Sequence, residues 1–293
     1  MGADCFPQFQ VRFSPALAQK PKSNKSYGPE KPFDPFLDPP KSLLVTEFRN
    51  YNLVLNKFPV IPDHFILATK EFKEQTDLLE AEDLGAAYVC LRTYCDEGEE
   101  LFGFFNSGEH SGASQPHRHI QFLPVESMRI GMEQKEEWSP LADILTSTTQ
   151  TGNKPPHHWI GNWLIKAGTK GRELPFAYFH KPIQDNMSAP EIHNAYKYLL
   201  GAAQSASEGR ISSISYNLGL TSKSMVLIPR RSEGSTIESV DGSIIGPVAL
   251  NGTILAGTLL VKTEAEWSAL RTDTSKLKDV LEAIGIHPFR STI

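Results

Sequence analysis

Cysteine is scarce in this chain. Its 293 residues hold three, Cys5, Cys90 and Cys95, with no C-x-x-C pair among them. That composition excludes a disulfide framework and a cysteine zinc site, and it makes a reducing compartment, cytoplasm or nucleus, the expectation. A basic excess is missing too. Lys and Arg number 29 against 34 Asp and Glu, a formal net charge of -5, so no global positive field is available to hold a polynucleotide. An anionic ligand must be met by local donors instead. No apolar run approaches the ~20 residues of a membrane span, and the start MGADCFPQFQ lacks the apolar core of a signal peptide. Neither nucleic acid nor membrane is an expected partner. What is plentiful is apolar material, 40% of the residues, enough for a substantial core in one domain or two packed halves.

Residues 1–42 are dense in Pro, Lys and Ser and read as an extended arm on the surface without regular structure. LLVTEF, YNLVLNKF and HFILATK are short, alternating and β-rich, and turn chemistry separates them, so they read as adjacent antiparallel strands. From Asp77 to about Glu97 the apolar spacing becomes helical, with Thr76 or Asp77 placed to cap. LFGFFN then reads as a strand, the glycine-serine stretch as a loop and HRHIQFLPV as the returning strand. Residues 127–175 read as an insertion. Residues 176–293 repeat the order of residues 43–126, with a strand at FAYFHKP, a helix at APEIHNAYKYLLGAAQSA and strands at SYNLGLT, SMVLIPR and GTLLVK. Ser232 to Gly246 reads as a loop, and TSKLKDVLEAIGI as a closing amphipathic helix. The expected architecture is α+β, one domain of two related halves that share an antiparallel sheet flanked by helices.

On a strand, residues i, i+2 and i+4 face one side. His117, His119 and Gln121 would then form one polar row, with Arg118, Ile120 and Phe122 on the other side against the core. Three readings compete for that row. Strand histidines can chelate zinc, but no H-x-x-x-H or nearby carboxylate pair completes a site. They can also be hydrogen-bonded strand residues with no chemical role. The third reading is nucleophilic attack at phosphorus. An imidazole with an unperturbed pKa of ~6.5 is largely neutral at neutral pH and needs no separate base. The preceding loop favours this third reading, because Gly108, Ser111, Gly112 and Ser114 supply the amides and hydroxyls that surround phosphate oxygens.

Gly112 to Gln121, GASQPHRHIQ, resembles the H-x-H-x-Q motif of the transferase branch of the histidine triad superfamily. The stretches FFNSGEHSGAS, LNKFPVIPDHFILAT, ALAQKP, NLGLTSKSMVLIPR and LNGTILAGTLLVK resemble the diadenosine tetraphosphate phosphorylases, or ATP adenylyltransferases, of fungal type. The similarity runs from about Phe9 to the C-terminal helix. It implies a histidine-triad-like fold and a single catalytic domain that splits the dinucleotide with phosphate into ADP and ATP through an adenylyl-histidine.

By the same resemblance, His119 is the nucleophile, His117 its supporting partner, and Gln121 a ligand of the intermediate's phosphate. Asn106, Ser107, Ser111, Gly112, Ala113 and Ser114 match phosphate-binding positions, although relatives often have serine in place of Ala113. Lys20, Asn56 and Lys57 match substrate-binding positions in the first half, and Asn251, Gly252, Thr253, Thr258 and Lys262 those in the second. Lys57 and Lys262 would supply local positive charge along the polyphosphate. No tightly bound cofactor is implied, and a divalent cation such as magnesium would arrive with the polyphosphate. The expected partners are dinucleoside polyphosphate, ATP, ADP and phosphate, with monomer and homodimer both open. His64, after Pro62-Asp63, either lines the pocket or ends a turn, and His157 and His158 receive no role.

Two alternatives share the motif. A hexose-1-phosphate uridylyltransferase usually has proline where this chain has Arg118, and often a cysteine-rich zinc site. A nucleotide sensor without turnover has no need of an intact His119 and Gln121.

Overall fold

A computed structural model describes residues 9–15, 33–132, 135, 138–147, 174–207, 214–239 and 241–287. Lys20, His157 and His158 lie outside them. The first half contributes β2 (Leu44–Glu47), β3 (Tyr51–Leu55), β4 (Phe65–Thr69), α1 (Ala81–Asp96), β5 (Leu101–Ser107) and β6 (His119–Pro124). After the short helices α2 (Val125–Arg129) and α3 (Leu141–Ser147) come β7 (Phe179–Pro182), α4 (Ala189–Ala206), β8 (Ser215–Leu220) and β9 (Ser224–Arg230). These strands form one eight-stranded sheet in the order β2-β3-β4-β6-β5-β8-β9-β7, antiparallel throughout.

The expected repeat is present as topology. Strand, helix and hairpin recur as β4-α1-β5-β6 and β7-α4-β8-β9, and β5 meets β8 at the centre with Asn106 opposite Asn217. Strand alternation then sorts the side chains. Ile120, Phe122, Leu218, Leu220, Met225 and Leu227 pack with residues of α1 and α4, such as Leu84 and Tyr196, in one core. Phe102, Phe104, Leu123, Val226 and Ile228 face a second core, which holds α3 and the C-terminal elements. The helix α4 has the limits read from the sequence. Ser188 precedes it, and the Ser188 amide donates to Glu191 Oε2 at 2.8 Å.

Four expectations change. The helix α1 begins at Ala81 rather than near Asp77, with Glu80 as its cap residue; the Glu80 amide donates to Asp83 Oδ2 at 2.7 Å. The stretch before it is held extended, because Glu74 bridges to His117 and the Gln75 amide donates to the Pro116 carbonyl at 2.6 Å. Part of the arm is regular: β1 (Gln10–Phe13) pairs in parallel with β12 (Thr258–Val261), so the GTLLVK strand lies outside the main sheet. The stretch read as a loop from Ser232 forms a hairpin of β10 (Gly234–Glu238) and β11 (Ile244–Ala249), in which Ile237 and Val248 enter the second core. Within residues 127–175, α3 is helical, with Leu141, Ala142 and Leu145 buried.

The helix α5 (Glu264–Thr272) carries a signal the reading passed over. Thr263 and Glu266 form a T-x-x-E capping box. The closing helix α6 (Thr274–Ile284) stands as expected, with Val280, Leu281 and Ile284 in the core. Among the described residues no helix is long and apolar enough to cross a membrane.

Candidate active site

His119 opens β6 and is 3% exposed. Its Nδ1 lies 2.8 Å from the carbonyl oxygen of His117. A carbonyl only accepts, so Nδ1 carries the proton and the lone pair of the neutral ring falls on Nε2. The backbone on either side is clamped by Gln75, a residue the sequence reading missed. The His119 amide donates to Gln75 Oε1 at 2.7 Å, while Gln75 Nε2 donates to the carbonyls of Asn106 at 2.8 Å and His119 at 3.2 Å. His117 is fully buried, with Nε2 2.9 Å from Thr69 Oγ1 and Nδ1 2.7 Å from Asp34 Oδ2. Phe36 packs on the His119 ring at 4.9 Å between centroids. Behind the histidines, Arg118 points to the opposite face, where Nη1 donates to Asp83 at 2.9 Å and Glu80 at 3.0 Å. The predicted sorting of 117, 119 and 121 from 118, 120 and 122 is the one observed.

The glycine-serine loop is braced from the second half. Asn106 Oδ1 accepts from Asn217 Nδ2 and from the Gly252 amide, both at 2.8 Å, and Asn217 Nδ2 also donates to the Ser111 carbonyl at 2.8 Å. Arg230 Nη1 donates to Asn217 Oδ1, and Nη2 to the Leu250 carbonyl at 2.9 Å. Burial pulls the Arg230 guanidinium down to about 10, with Glu233 opposing, so it remains cationic at neutral pH. A buried positive charge therefore sits beneath the loop. Gly112 holds a φ of 77°, and a Cβ there would lie 2.8 Å from Asn251 Cβ, so glycine permits the two segments to meet. The Asn251 side chain caps the 3-10 turn Gly252–Ala256 by accepting from the Thr253 amide at 3.0 Å.

A cavity of 210 Å³ opens where these segments converge. Asn56, Gly112, Ser114, Gln121, Asn251, Thr253 and Lys262, all predicted site residues, line it. His64 lines it as well, with Nδ1 2.9 Å from Asn56 Nδ2, and Val60, Ile61, Phe104, Leu123 and Leu260 supply an apolar wall. The other predicted site residues among the described ones, His117 and His119 included, do not line it. Asn106, Ser107 and Ser111 are buried braces, and the Ala113 amide donates to Ser111 Oγ at 3.3 Å. Gly252 acts through its amide, and Thr258 is fully buried with its carbonyl accepting from Thr253 Oγ1 at 2.9 Å. Lys57 is exposed, its ammonium 5.5 Å from the centre of the Phe58 ring.

Asp34, Phe36, Thr69, Gln75, Asn217 and Arg230 were not anticipated. Asp34 and Phe36 cluster in an aromatic part of the arm, and Thr69, Asn217 and Arg230 fall within stretches that carry the resemblance, whereas Gln75 had no local signal.

Compared with known proteins, residues 6–147 match the family described as Ap4A phosphorylase N-terminal domain, where Ap4A is diadenosine tetraphosphate. Residues 172–287 match that described as ATP adenylyltransferase C-terminal domain. Diadenosine 5',5'''-P1,P4-tetraphosphate phosphorylase 2 of Saccharomyces cerevisiae is 31% identical over 287 residues, spanning 91% of this chain and 80% of that protein. Protein APA1 of the same yeast is 27% identical over 293 residues, spanning 94% and 83%. The crystal structure of yeast Ap4A phosphorylase Apa2 aligns with a TM-score of 0.72 and 27% identity, covering 96% of this chain and 86% of the other. The crystal structure of Apa2 in complex with Ap4A aligns with a TM-score of 0.70 and 27% identity over the same shares.

Proposed function

The chain belongs to the diadenosine tetraphosphate phosphorylase family, and from this membership and the site geometry we infer that it is a nucleotidyltransferase cleaving Ap4A with phosphate to ATP and ADP. The observation that carries the mechanism is the bond from His119 Nδ1 to the His117 carbonyl, which assigns the lone pair to Nε2. In the first step that pair attacks the α-phosphorus, the bond to the bridging oxygen breaks, and ATP leaves. The adenylyl-imidazolium keeps its Nδ1 proton on the His117 carbonyl, so no base is needed. In the second step an oxygen of inorganic phosphate attacks the same phosphorus, the P–N bond breaks, its electrons return to Nε2, and ADP leaves.

Gln121 lines the cavity on the same strand face. Its amide can hold a phosphate oxygen but cannot titrate, so it gives water no general base, whereas phosphate arrives already anionic. Ser114, Asn251, Thr253 and Lys262 are proposed to receive the polyphosphate. A divalent cation is proposed to travel on the phosphate oxygens of the polyphosphate. The free thiols of Cys90 and Cys95 support a reducing compartment, cytoplasm or nucleus.

The test is mass spectrometry of the protein mixed with Ap4A, with and without phosphate. Without phosphate, an adenylyl adduct should accumulate on the peptide containing His119. Its hydrolysis should run at least ~100-fold slower than its phosphorolysis, the low end of what general base catalysis supplies. His119→Ala should bind nucleotide and form no adduct. An adduct elsewhere, or AMP released as fast as ADP, would replace this reading with another.

A further inference from the structure

The Asp34 carboxylate touches two of the groups that hold the nucleophile. Oδ2 lies 2.7 Å from His117 Nδ1, and Oδ1 accepts from the Phe36 amide at 2.9 Å. The His117 side chain is 1% exposed and that of Asp34 21%. We propose that Asp34 is a positioning residue for the adenylyl transfer, acting on His119 through His117 and Phe36. The proposal rests on the assignment of His119 as nucleophile.

An ionised carboxylate can only accept, so it holds the proton of neutral His117 on Nδ1. Nε2 of that ring then accepts from the Thr69 hydroxyl at 2.9 Å. With both ring nitrogens engaged, the His117 side chain has one orientation, and its carbonyl is the acceptor that orients His119. Neutral imidazoles have two tautomers, and losing the carboxylate lets His117 take the other, with Nε2 donating to Thr69. The second arm of the device is Phe36. Its amide bond to Oδ1 fixes a tight turn, and its ring packs on His119 at 4.9 Å and edge-on to His117 at 5.8 Å. One carboxylate thereby sets the tautomer of one histidine and the apolar wall against the other.

Such a residue should act on the chemical step and leave nucleotide affinity alone, because the cavity wall that meets the polyphosphate does not include it. The experiment is single-turnover adenylylation with Ap4A in the absence of phosphate, using the full chain and the variants Asp34→Ala, Asp34→Asn and Asp34→Glu, with Kd for Ap4A measured alongside. Asp34→Ala should lower the saturated rate of adduct formation roughly 10- to 100-fold, the cost of slight misplacement of a reacting group. Asp34→Asn, which keeps an acceptor but loses the charge, should be slowed less, and Asp34→Glu should recover part of the rate, with Kd little changed in all three. If Asp34→Ala does not fold, Asp34→Asn against Asp34→Glu carries the same comparison. A wild-type saturated rate in Asn and Ala, or a loss confined to Kd, overturns the assignment while wild-type adduct on His119 still upholds the nucleophile. Absence of that adduct in the wild type removes both.

Discussion

At the level of single side chains, few cations line the cavity proposed to receive the polyphosphate. Among the described residues, Lys262 is the lysine or arginine on the cavity wall, while Lys57 follows the wall residue Asn56 and projects beside the half-exposed Phe58. Lys262→Ala should therefore weaken binding of Ap4A more than binding of AMP, which carries no bridge phosphates. A charge-assisted contact is worth roughly 1.5–3 kcal/mol, or about 10- to 150-fold in Kd. Lys57→Ala should show the same selectivity with a smaller loss. Calorimetric titration with both nucleotides decides it, and equal losses for Ap4A and AMP would make Lys262 a structural lysine.

At the scale of elements, β6, which carries His119 and Gln121, is anchored from behind by Arg118, the residue just before it. Arg118 and Asp83 are 3% and 1% exposed, and Asp83 also accepts from the Tyr51 hydroxyl at 2.8 Å and from the Glu80 amide that precedes α1. The helix start, β3 and the residue just before β6 thus meet on one buried carboxylate. Removing the arginine leaves that charge buried without its main partner, which costs about 3–5 kcal/mol. Arg118→Ala should lose that much in urea unfolding, with the midpoint shifted and the slope unchanged. A loss below ~1 kcal/mol would mean that water replaces the guanidinium and that the network is a surface feature.

The whole molecule divides labour between its halves. The hairpin β5-β6 brings the histidines, and the corresponding β8-β9 brings no histidine but the braces Asn217 and Arg230, while the segment 251–262 closes the cavity. Stability of this assembly should depend on pH through His180 on the edge strand β7. It is 7% exposed and its ring nitrogens have no hydrogen-bond partner among the described residues; burial and, secondarily, Lys181 pull it down to about 4. Above its ordinary pKa of ~6.5 the ring is neutral folded or unfolded, so its contribution is intact. Between 6.5 and about 4 the unfolded chain takes up a proton that the folded one refuses, and stability falls with pH by up to about 3 kcal/mol. His180→Phe should remove that component. Urea unfolding at pH 7 and pH 4.5 for both proteins measures it, and an identical pH dependence in the variant counts against the buried neutral histidine.

What the sequence determined by itself is whatever its short-range spacing encodes. The H-x-H-x-Q row and its facing apolar residues follow from a period of two, and α4 from a period near 3.6 with Ser188 and Glu191 at its start. The strand-helix-hairpin repeat follows from their order, and the family from motifs spread along the chain. Tertiary structure alone decided what supports the row. Asp34, Thr69 and Gln75 reach the two histidines across separations of 83, 48 and 44 residues, and Asn217 reaches Ser111 across 106. It also decided that β12 leaves the main sheet to pair with β1, and that Thr258 is buried rather than on the cavity wall. The reason is physical. Side-chain periodicity is set by the local backbone, whereas register between distant strands is settled only when the whole sheet closes over its two cores.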